Sequence, residues 1–308
     1  MKLIVGYTGF VGSNLAGQTA FDGLYNSANI SEAFGRNPDI LVYSGVRAEK
    51  FLANSEPQKD FDVIVNAIQN IQKINPKKVI LISTVDVYPS AVGVDETNTI
   101  VSVDEQAYGK NRLYLEEWVE ENFENYLIVR LPALFGKNLK KNFIYDLIQI
   151  VPFMLNEKKF QELFDKHLWL NAYYTKQENG FYKLNPIDGK DKTDLKQRFL
   201  DIGFTALNFT DSRGIFQFYN LDHLWADIEI ALDNNIKKLN LATEPVSVNE
   251  IYRTLFDNDF SNEILPVAPK YDFQTVHASA FGRENGYIRG KETILNDIKK
   301  FISNAVNQ

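Results

Sequence analysis

The stretch MKLIVGYTGFVGSNL at residues 1–15 joins a short apolar run to three glycines, Gly6, Gly9 and Gly12. The first glycine permits a tight turn after a strand, the second lets backbone N–H groups approach a pyrophosphate, and the third lets a helix pack on the strand. The N-terminus of that helix offers partial positive charge and unpaired N–H donors. The stretch therefore predicts a site for a phosphate-bearing dinucleotide. A strand–turn–helix without a ligand is the alternative.

Apolar runs alternate with helical patterns through the first half of the chain. This alternation predicts an α/β fold with a Rossmann-type, doubly wound parallel sheet. Two further apolar runs, FQFYNL and KLNLA, return to the strand pattern later in the chain. The predicted strands lie near residues 3–5, 23–26, 39–44, 78–83, 126–131, 216–221 and 238–242, and the predicted helices near 12–19, 59–74 and 108–122.

Beyond residue 136 the pattern becomes helical and aromatic, and no second glycine-rich nucleotide turn follows. We therefore predict a dinucleotide-binding domain over 1–136 plus about 214–245. A smaller mixed α/β substrate lobe then takes up 137–213 and 246–308. The cleft between them is expected above the carboxyl ends of the strands, where open α/β sheets bind ligands.

Composition narrows the classes of partner. The 308 residues carry a formal charge of −7, which argues against nucleic acid, because phosphate backbones are held by a surplus of Lys and Arg. No apolar run reaches the length of a membrane span and the chain begins directly in a strand, so we expect no membrane partner and a cytoplasmic protein. There are no cysteines and only three histidines, set far apart, so no metal site is expected.

Two later motifs carry polar groups to the predicted cleft. In ISTVDVY at 82–88, the hydroxyl of Thr84 follows a buried strand and could hold a substrate oxygen, although a plain turn also favours such residues. In AYGKNR at 107–112, Tyr108 and Arg112 are four residues apart and share one helix face. A cation beside a phenol lowers the phenol pKa, which makes Tyr an acid/base group. A Tyr–Arg pair packed on a surface helix is the alternative.

The order of these motifs resembles the extended short-chain dehydrogenase/reductases, and within them the sugar-nucleotide epimerase, dehydratase and reductase group. The segments VNAIQNI at 65–71, VRLPALFG at 129–136, FQFYNLDHL at 216–224 and LNLATEPVSVNEI at 239–251 are similar to later family segments. The resemblance implies that Tyr108 exchanges a proton with a sugar oxygen held by Thr84, with Arg112 as the third catalytic residue. The family has Lys at that position; Arg112 keeps the charge but is bulkier and never loses its proton.

The resemblance also implies ligand contacts. The cofactor is NAD or NADP, and LYNS at 24–27, neither acidic nor basic, favours NAD only slightly. The substrate is a small-molecule nucleotide sugar, with expected contacts at Asp86, Asn142 and Arg213. The expected cofactor-binding residues are Gly6, Thr8, Gly9, Phe10, Val11, Gly12, Asn26, Ser27, Ser44, Gly45, Asn66, Ser83, Tyr108, Arg112 and Leu131.

Three functions stay open at this stage. The family's dehydratases carry an Asp-Glu pair after the Thr, whereas this chain has Val85 and Asp86, which favours an epimerase or a ketosugar reductase. A catalytically inactive dinucleotide-binding sensor of the same fold is the second possibility, suggested by Arg112. The third is a scaffold. We also expect a homodimer, because family members pair through this helix and Leu113, Trp118 and Val119 form an apolar stripe on it, although core packing explains the stripe equally well.

Overall fold

The computed structural model describes residues 1–100, 106–178 and 180–306. The helices are α1 Phe10–Gln18, α2 Lys50–Ser55, α3 Pro57–Ile74, α4 Ala107–Asn122, α5 Phe143–Gln149, α6 Glu157–Phe164, α7 Gly189–Asp201, α8 Leu224–Asp233, α9 Val248–Phe256 and α10 Lys291–Val306. The strands are β1 Lys2–Val5, β2 Gly23–Tyr25, β3 Ile40–Tyr43, β4 Val79–Thr84, β5 Val92–Val94, β6 Tyr126–Leu131, β7 Ala133–Phe135, β8 Met154–Leu155, β9 Tyr174–Lys176, β10 Tyr182–Leu184, β11 Ile215–Phe216, β12 Phe218–Asn220, β13 Lys238–Asn240, β14 Val246–Ser247 and β15 Asp272–Phe273.

A six-stranded parallel sheet in the order β13-β6-β4-β3-β1-β2 forms the centre of the protein. The order reverses at β1, which lies between β2 and β3. In open α/β sheets, ligands bind at this reversal, beyond the carboxyl ends of the strands. The predicted doubly wound α/β fold is confirmed.

Both faces of the sheet are covered, which explains the unbroken apolar character of its strands. Successive strand side chains point to opposite faces. Ile4 packs in a core with residues of α1 and α8, whereas its neighbours Leu3 and Val5 pack in a second core with residues of α3 and α4. The helix α4, whose first turn carries Tyr108, is therefore packed directly on the sheet.

The predicted strand at 216–221 lies outside this sheet. It divides into β11, which pairs antiparallel with β14, and β12, which pairs parallel with β7. Pro132 separates β7 from β6, and because proline has no backbone N–H it interrupts a strand ladder. Only the later run, at 238–242, joins the main sheet, as the edge strand β13.

Two more of the cores formed by the described residues lie mainly in the later part of the chain. Strands β8, β10 and β9 form an antiparallel sheet that packs with α6 and α7, around Phe160 and Phe199. Helices α5, α9 and α10 enclose another core with β7 and β12, which therefore combines residues before 150 and after 246. The division into a dinucleotide-binding domain and a two-part substrate lobe stays a prediction.

The described residues contain neither a membrane-spanning helix nor a cluster of metal ligands. None of their helices is both long and apolar enough to cross a membrane. No group of three or more His, Asp or Glu side chains in these parts of the chain is placed to hold a metal ion.

Candidate active site

The glycine turn joins β1 to α1 at the reversal of strand order. Gly6 has φ +91° and donates its N–H to the Tyr25 carbonyl at 2.7 Å. A Cβ on Gly6 would lie 2.5 Å from the Ser44 carbonyl oxygen, and a Cβ on Gly12 would lie 2.1 Å from the Gly6 oxygen. Both separations are far below van der Waals contact, so a side chain at either position would push the turn, α1 and the end of β3 apart.

The N-terminus of α1 is open to an anion. Gly9 is the residue that caps the helix, it supplies no side-chain cap, and the first turn of α1 holds no acidic residue. Thr8 and Gly9 are exposed, and Phe10 and Val11 are half-buried. Free N–H groups at a helix start form an anion site, so the turn fits the diphosphate of a dinucleotide.

The turn after β2 holds no charged side chain that could bind the adenosine ribose or its phosphate. Asn26 donates its N–H to the Asn29 side chain at 2.8 Å, and its own side-chain oxygen accepts the Ala28 N–H at 2.9 Å. This turn occupies the Asn26 oxygen and leaves Ser27 exposed beside it. The turn therefore offers no charged side chain that would favour NAD over NADP or the reverse.

Thr84 and Tyr108 come together at the carboxyl end of β4. The Thr84 side chain lies near the Tyr108 hydroxyl, where it acts to lower the Tyr108 pKa, and the Thr84 oxygen accepts the Asp86 N–H at 3.1 Å. Tyr108 lies in the first turn of α4 and is 7% exposed. The α4 backbone reaches this turn because residue 109 is glycine: a Cβ there would lie 2.0 Å from the Asp86 carbonyl oxygen. Two hydroxyls thus meet where a substrate oxygen could bind.

The Arg112 guanidinium forms its hydrogen bonds and its ion pair with other groups of the protein, whereas we expected it to contact a cofactor. Its guanidinium carbon lies 3.9 Å from the centroid of the Tyr108 ring. Its Nη1 group forms an ion pair with Asp60 at 2.5 Å and donates to the Tyr108 carbonyl at 3.1 Å, while Nη2 donates to the Arg47 carbonyl at 2.6 Å. The charge is therefore balanced within the fold, and the contact with Tyr108 is through the ring face.

The expected lowering of the Tyr108 pKa is wrong. Burial raises the pKa of Tyr108 above its ordinary value, and the opposing effect of Arg112 is smaller; the carboxylates of Asp86 and Asp60 raise the Tyr108 pKa further. The phenolate is disfavoured because it would be formed out of water and near two negative charges. Tyr108 is therefore protonated at neutral pH.

Ser83, expected to contact the cofactor, points to the other side of β4 from Thr84, as neighbouring strand residues do. Its hydroxyl donates to Glu116 at 2.5 Å, within α4. The same carboxylate receives Arg130 of β6 at 2.6 Å, and Arg130 also donates to the Tyr88 hydroxyl at 2.7 Å. Ser83 therefore ties the sheet to α4 and is not free to bind a ligand.

The three expected substrate contacts also have partners. Asp86, 28% exposed, is paired with Lys50 at 2.8 Å. The Asn142 side chain caps α5, accepting the Tyr145 N–H and donating to the Leu134 carbonyl. Arg213 forms ion pairs with Asp211 and Glu263. Asp86 lies at the Thr84 turn and is accessible, whereas Asn142 and Arg213 serve local structure.

The remaining expected cofactor residues lie in different places. Ser44 and Gly45 follow β3 directly beside the glycine turn, and the Ser44 hydroxyl donates to the Val5 carbonyl at 2.9 Å. Leu131 is buried at the end of β6. Asn66 is exposed on α3, on the opposite side from the helix residues buried against the sheet. The structure thus brings all but Asn66 to the carboxyl edge or the layer beneath it.

Sequence reasoning missed four residues at this site. Gly109 had a local signal, since it stands next to Tyr108. Asn54 accepts the Tyr108 N–H at 3.0 Å, Asp60 holds Arg112, and Lys50 holds Asp86. These three come from α2 and α3 and lie 36 to 54 residues before their partners, so no local spacing in the sequence predicts them.

A cavity of about 610 Å³ lies beside α5, β9 and β10. Phe153, which lines it, is half exposed, and the Lys183 ammonium lies 5.4 Å from its ring centroid. The described lining residues include two lysines and no carboxylate, so the cavity favours an anionic ligand. They are Tyr145, Gln149, Val151, Phe153, Thr175, Gln177, Lys183, Leu184, Asn185, Pro186, Ile187 and Lys192.

Comparison with known proteins gives structural neighbours only: no family model and no curated protein matches the chain. RMD from Pseudomonas aeruginosa, complexed with NADPH, shares 14% identity at TM-score 0.63 over 99% of both chains. The dTDP-4-dehydrorhamnose reductase from Bacillus anthracis, in complex with NADP, shares 17% identity at TM-score 0.59 over 98% of both.

A UDP-glucose 4-epimerase from Thermotoga maritima, with UDP-glucose, shares 12% identity at TM-score 0.61 over 98% of this chain and 97% of its own. Sequence identities this low show only that the fold is shared. They confirm at that level the fold that the resemblance implied: the chain shares the fold of sugar-nucleotide epimerases and reductases.

Proposed function

We propose that this chain is a nicotinamide-dinucleotide-dependent reductase of a nucleotide-activated ketosugar. The observation that carries the proposal is the proximity of the Thr84 side chain to the Tyr108 hydroxyl, at the carboxyl edge of the sheet whose β1 leads into the open N-terminus of α1. A proton donor and a second hydroxyl converge there on one oxygen position. Structural neighbours that are reductases of related substrates support this choice.

The cofactor would lie along the carboxyl edge of the central sheet. Backbone N–H groups of Phe10 and Val11 would hold its diphosphate, while the Gly9 N–H donates to the Gly6 carbonyl at 2.9 Å and shapes the turn. Ser27, Ser44 and Gly45 would flank the path. NAD and NADP both fit the uncharged end of β2. When bound, the nicotinamide supplies or accepts the hydride; the protein's part is alignment and the proton.

The state of Tyr108 favours reduction over epimerisation. Reduction of a ketone needs a proton delivered to its oxygen, which a protonated Tyr108 can give, while Thr84 holds the same oxygen. An epimerase begins with the reverse step, removal of a hydroxyl proton, which a phenol of raised pKa performs poorly. We therefore place a ketosugar reductase ahead of an epimerase.

The positive charge of the cavity lining supports the proposal of a phosphorylated substrate. Lys183 and Lys192 line the cavity beside the aromatic rings of Tyr145 and Phe153. The lysine ammonium groups can form ion pairs with the phosphate groups of a nucleotide, and the aromatic rings can pack on its base. Lys141 donates to the Ala48 carbonyl at 2.8 Å, which connects the chain before α5 to the segment that follows β3.

The test is turnover of nucleotide 4-ketosugars with NADH or NADPH, followed by absorbance at 340 nm. We expect consumption of reduced cofactor, and Tyr108→Phe lowers kcat by about 100-fold or more, the usual contribution of a general acid. Tyr114→Phe, an exposed tyrosine on the same helix, is the matched control and keeps wild-type activity. Interconversion of sugars without net cofactor loss would establish an epimerase instead.

A catalytically inactive dinucleotide-binding sensor or scaffold is the second candidate, favoured by the commitment of Arg112 to Asp60. It would bind NAD(H) or NADP(H) without turning over any nucleotide sugar. Nicotinamide fluorescence measures that binding directly, and Gly12→Ala should abolish it by displacing the glycine turn. Binding that is lost in Gly12→Ala, together with no turnover in the wild type, would select this candidate.

A further inference from the structure

The corner between α2 and α3 is docked on the first turns of α4. Asn54 accepts the Tyr108 N–H at 3.0 Å and donates to Gln106 at 3.1 Å. Asp60 accepts from Asn111 at 2.8 Å and pairs with Arg112 at 2.5 Å. Side chains from two separate elements thus fix the helix start that carries Tyr108.

The Asp60–Arg112 pair is nearly closed off from water, with the two side chains 10% and 5% exposed. A buried guanidinium needs a counter-charge, since it loses its hydration on burial. Asp60 supplies the charge, and the Tyr108 and Arg47 carbonyls accept further hydrogen bonds. With these bonds made, the guanidinium lies over the Tyr108 ring at 3.9 Å.

We propose that Asp60 is a positioning residue of the active site: it holds Arg112 against the Tyr108 ring and takes up its charge, so that Tyr108 keeps its proton. The inference rests on the proposed function: burial is the main reason that Tyr108 keeps its proton, and the Asp60 counter-charge adds to it, so that the site donates a proton. Asp60 acts through Arg112 and does not itself touch a substrate.

The charged groups around Tyr108 come from four elements. Arg112 belongs to α4, Asp60 to α3, Asp86 to the turn after β4, and Lys50 to α2, where it neutralises Asp86. Of these charges, Arg112 favours the phenolate and both carboxylates oppose it; the uncharged Thr84 side chain also favours it. If Asp60 becomes neutral, the Arg112 charge acts on Tyr108 without compensation, and the phenolate forms more easily.

The experiment is NMR titration of the full chain labelled with [13Cζ]tyrosine, with the Tyr108 signal assigned by its loss in Tyr108→Phe. In Asp60→Asn we expect the Tyr108 titration to move to lower pH. Asp62→Asn, an exposed carboxylate on the same helix that pairs with Gln58, is the control and leaves it unchanged. A Tyr108 titration in Asp60→Asn identical to that of the wild type overturns the inference.

A second variant covers the case in which an unpaired Arg112 prevents folding. In Asp60→Asn/Arg112→Gln both charges are gone, so the Tyr108 titration should return to the wild-type position or above it. A titration still moved to lower pH would show that the released Arg112 charge is not the cause and would overturn the inference.

Failure of the inference and failure of the proposed function are distinguishable. The NMR titration needs no substrate, so a shift in Asp60→Asn without turnover of any nucleotide sugar supports Asp60's role and removes the reductase. If reduction is observed, its loss at alkaline pH should begin at lower pH in Asp60→Asn than in Asp62→Asn. Turnover with unchanged alkaline loss and unchanged titration removes Asp60's role alone.

Discussion

Gly109 lies where the first turn of α4 meets the backbone of Asp86, one residue after Tyr108. In Gly109→Ala, a Cβ would lie 2.0 Å from the Asp86 carbonyl oxygen. Helix and turn must then separate, so we expect a loss of about 2 kcal/mol or more in the free energy of unfolding, as for an overpacked core. Urea denaturation measures the loss, and activity should fall with it because the Thr84–Tyr108 contact is displaced.

Gly17 provides the control, since it is also a helical glycine, but no atom lies within 4 Å of its added Cβ. Gly17→Ala should leave stability unchanged or raise it by about 0.5–1 kcal/mol, the helix preference of alanine. Equal stability of the two variants would contradict the close approach at Gly109.

How far single residues could be predicted depends on where their partners lie. The glycine turn and the hydroxyls of Thr84 and Tyr108 were predictable, because strand, turn and helix chemistry are local. The roles of Ser83 and Arg112 were not, because Glu116 and Asp60 lie 33 and 52 residues away along the chain. The spacing of Tyr108 and Arg112 predicted their contact but not the burial of Tyr108, which raises its pKa by more than Arg112 lowers it.

At the scale of elements, α4 and the sheet are joined by a buried ion pair. Glu116 is fully buried and bonds Arg130 of β6 at 2.6 Å, with Arg130 itself 2% exposed. Arg130 also donates a hydrogen bond to the Tyr88 hydroxyl, which is hydrogen-bonded in turn to Asn240 of β13. Together with Ser83 of β4, which donates to the same Glu116 carboxylate, these residues join three strands to α4 just below the carboxyl edge.

Glu116→Gln should lower the free energy of unfolding by about 3–5 kcal/mol, the cost of leaving one buried charge without its partner. Chemical denaturation measures the change. Glu117→Gln alters the next residue of the same helix, which is exposed, and should have little effect. A small loss in Glu116→Gln, like that of the control, would mean that Arg130 finds compensation elsewhere.

Element prediction succeeded where the pattern was long and failed where pairing decides the outcome. The helical spacing at 59–74 became α3, Pro57–Ile74, and the helix predicted at 108–122 became α4. The apolar run at 216–221 gave strands, but their partners β14 and β7 were not readable, since an apolar strand fits any sheet edge that buries it. The short helix α2 was not predicted.

At the scale of the whole molecule, the apolar stripe on α4 is part of the protein's own core. Leu113 and Val119 are buried, and Trp118 packs beside Phe123. The stripe therefore gives no support to a dimer through that face, as core packing alone explains it. The homodimer stays a prediction, to be tested by sedimentation of the intact protein.

Asp146 should make the stability of the whole fold fall with rising pH. Burial in α5 raises the pKa of Asp146 to about 7, whereas the unfolded chain ionises this carboxyl near the ordinary value for Asp, about 4. Between these values the folded state binds a proton that the unfolded state has lost, so stability decreases from about pH 4 to about pH 7 and the loss is complete above that. The opposite face of α5 lies in the core shared with α9 and α10, which is why the ionisation should be felt in global unfolding.

Asp146→Asn removes the titrating group without changing its shape. At pH 8 the variant should be more stable than the wild type by up to about 4 kcal/mol, since one pKa unit corresponds to about 1.4 kcal/mol, and near pH 4 the two should be alike. Urea denaturation at both pH values measures the difference, with the exposed Asp194→Asn in α7 as the control. A variant that is less stable than the wild type at pH 8 would mean that the Asp146 carboxylate is itself held by a favourable contact, because only a stabilised anion reverses the sign.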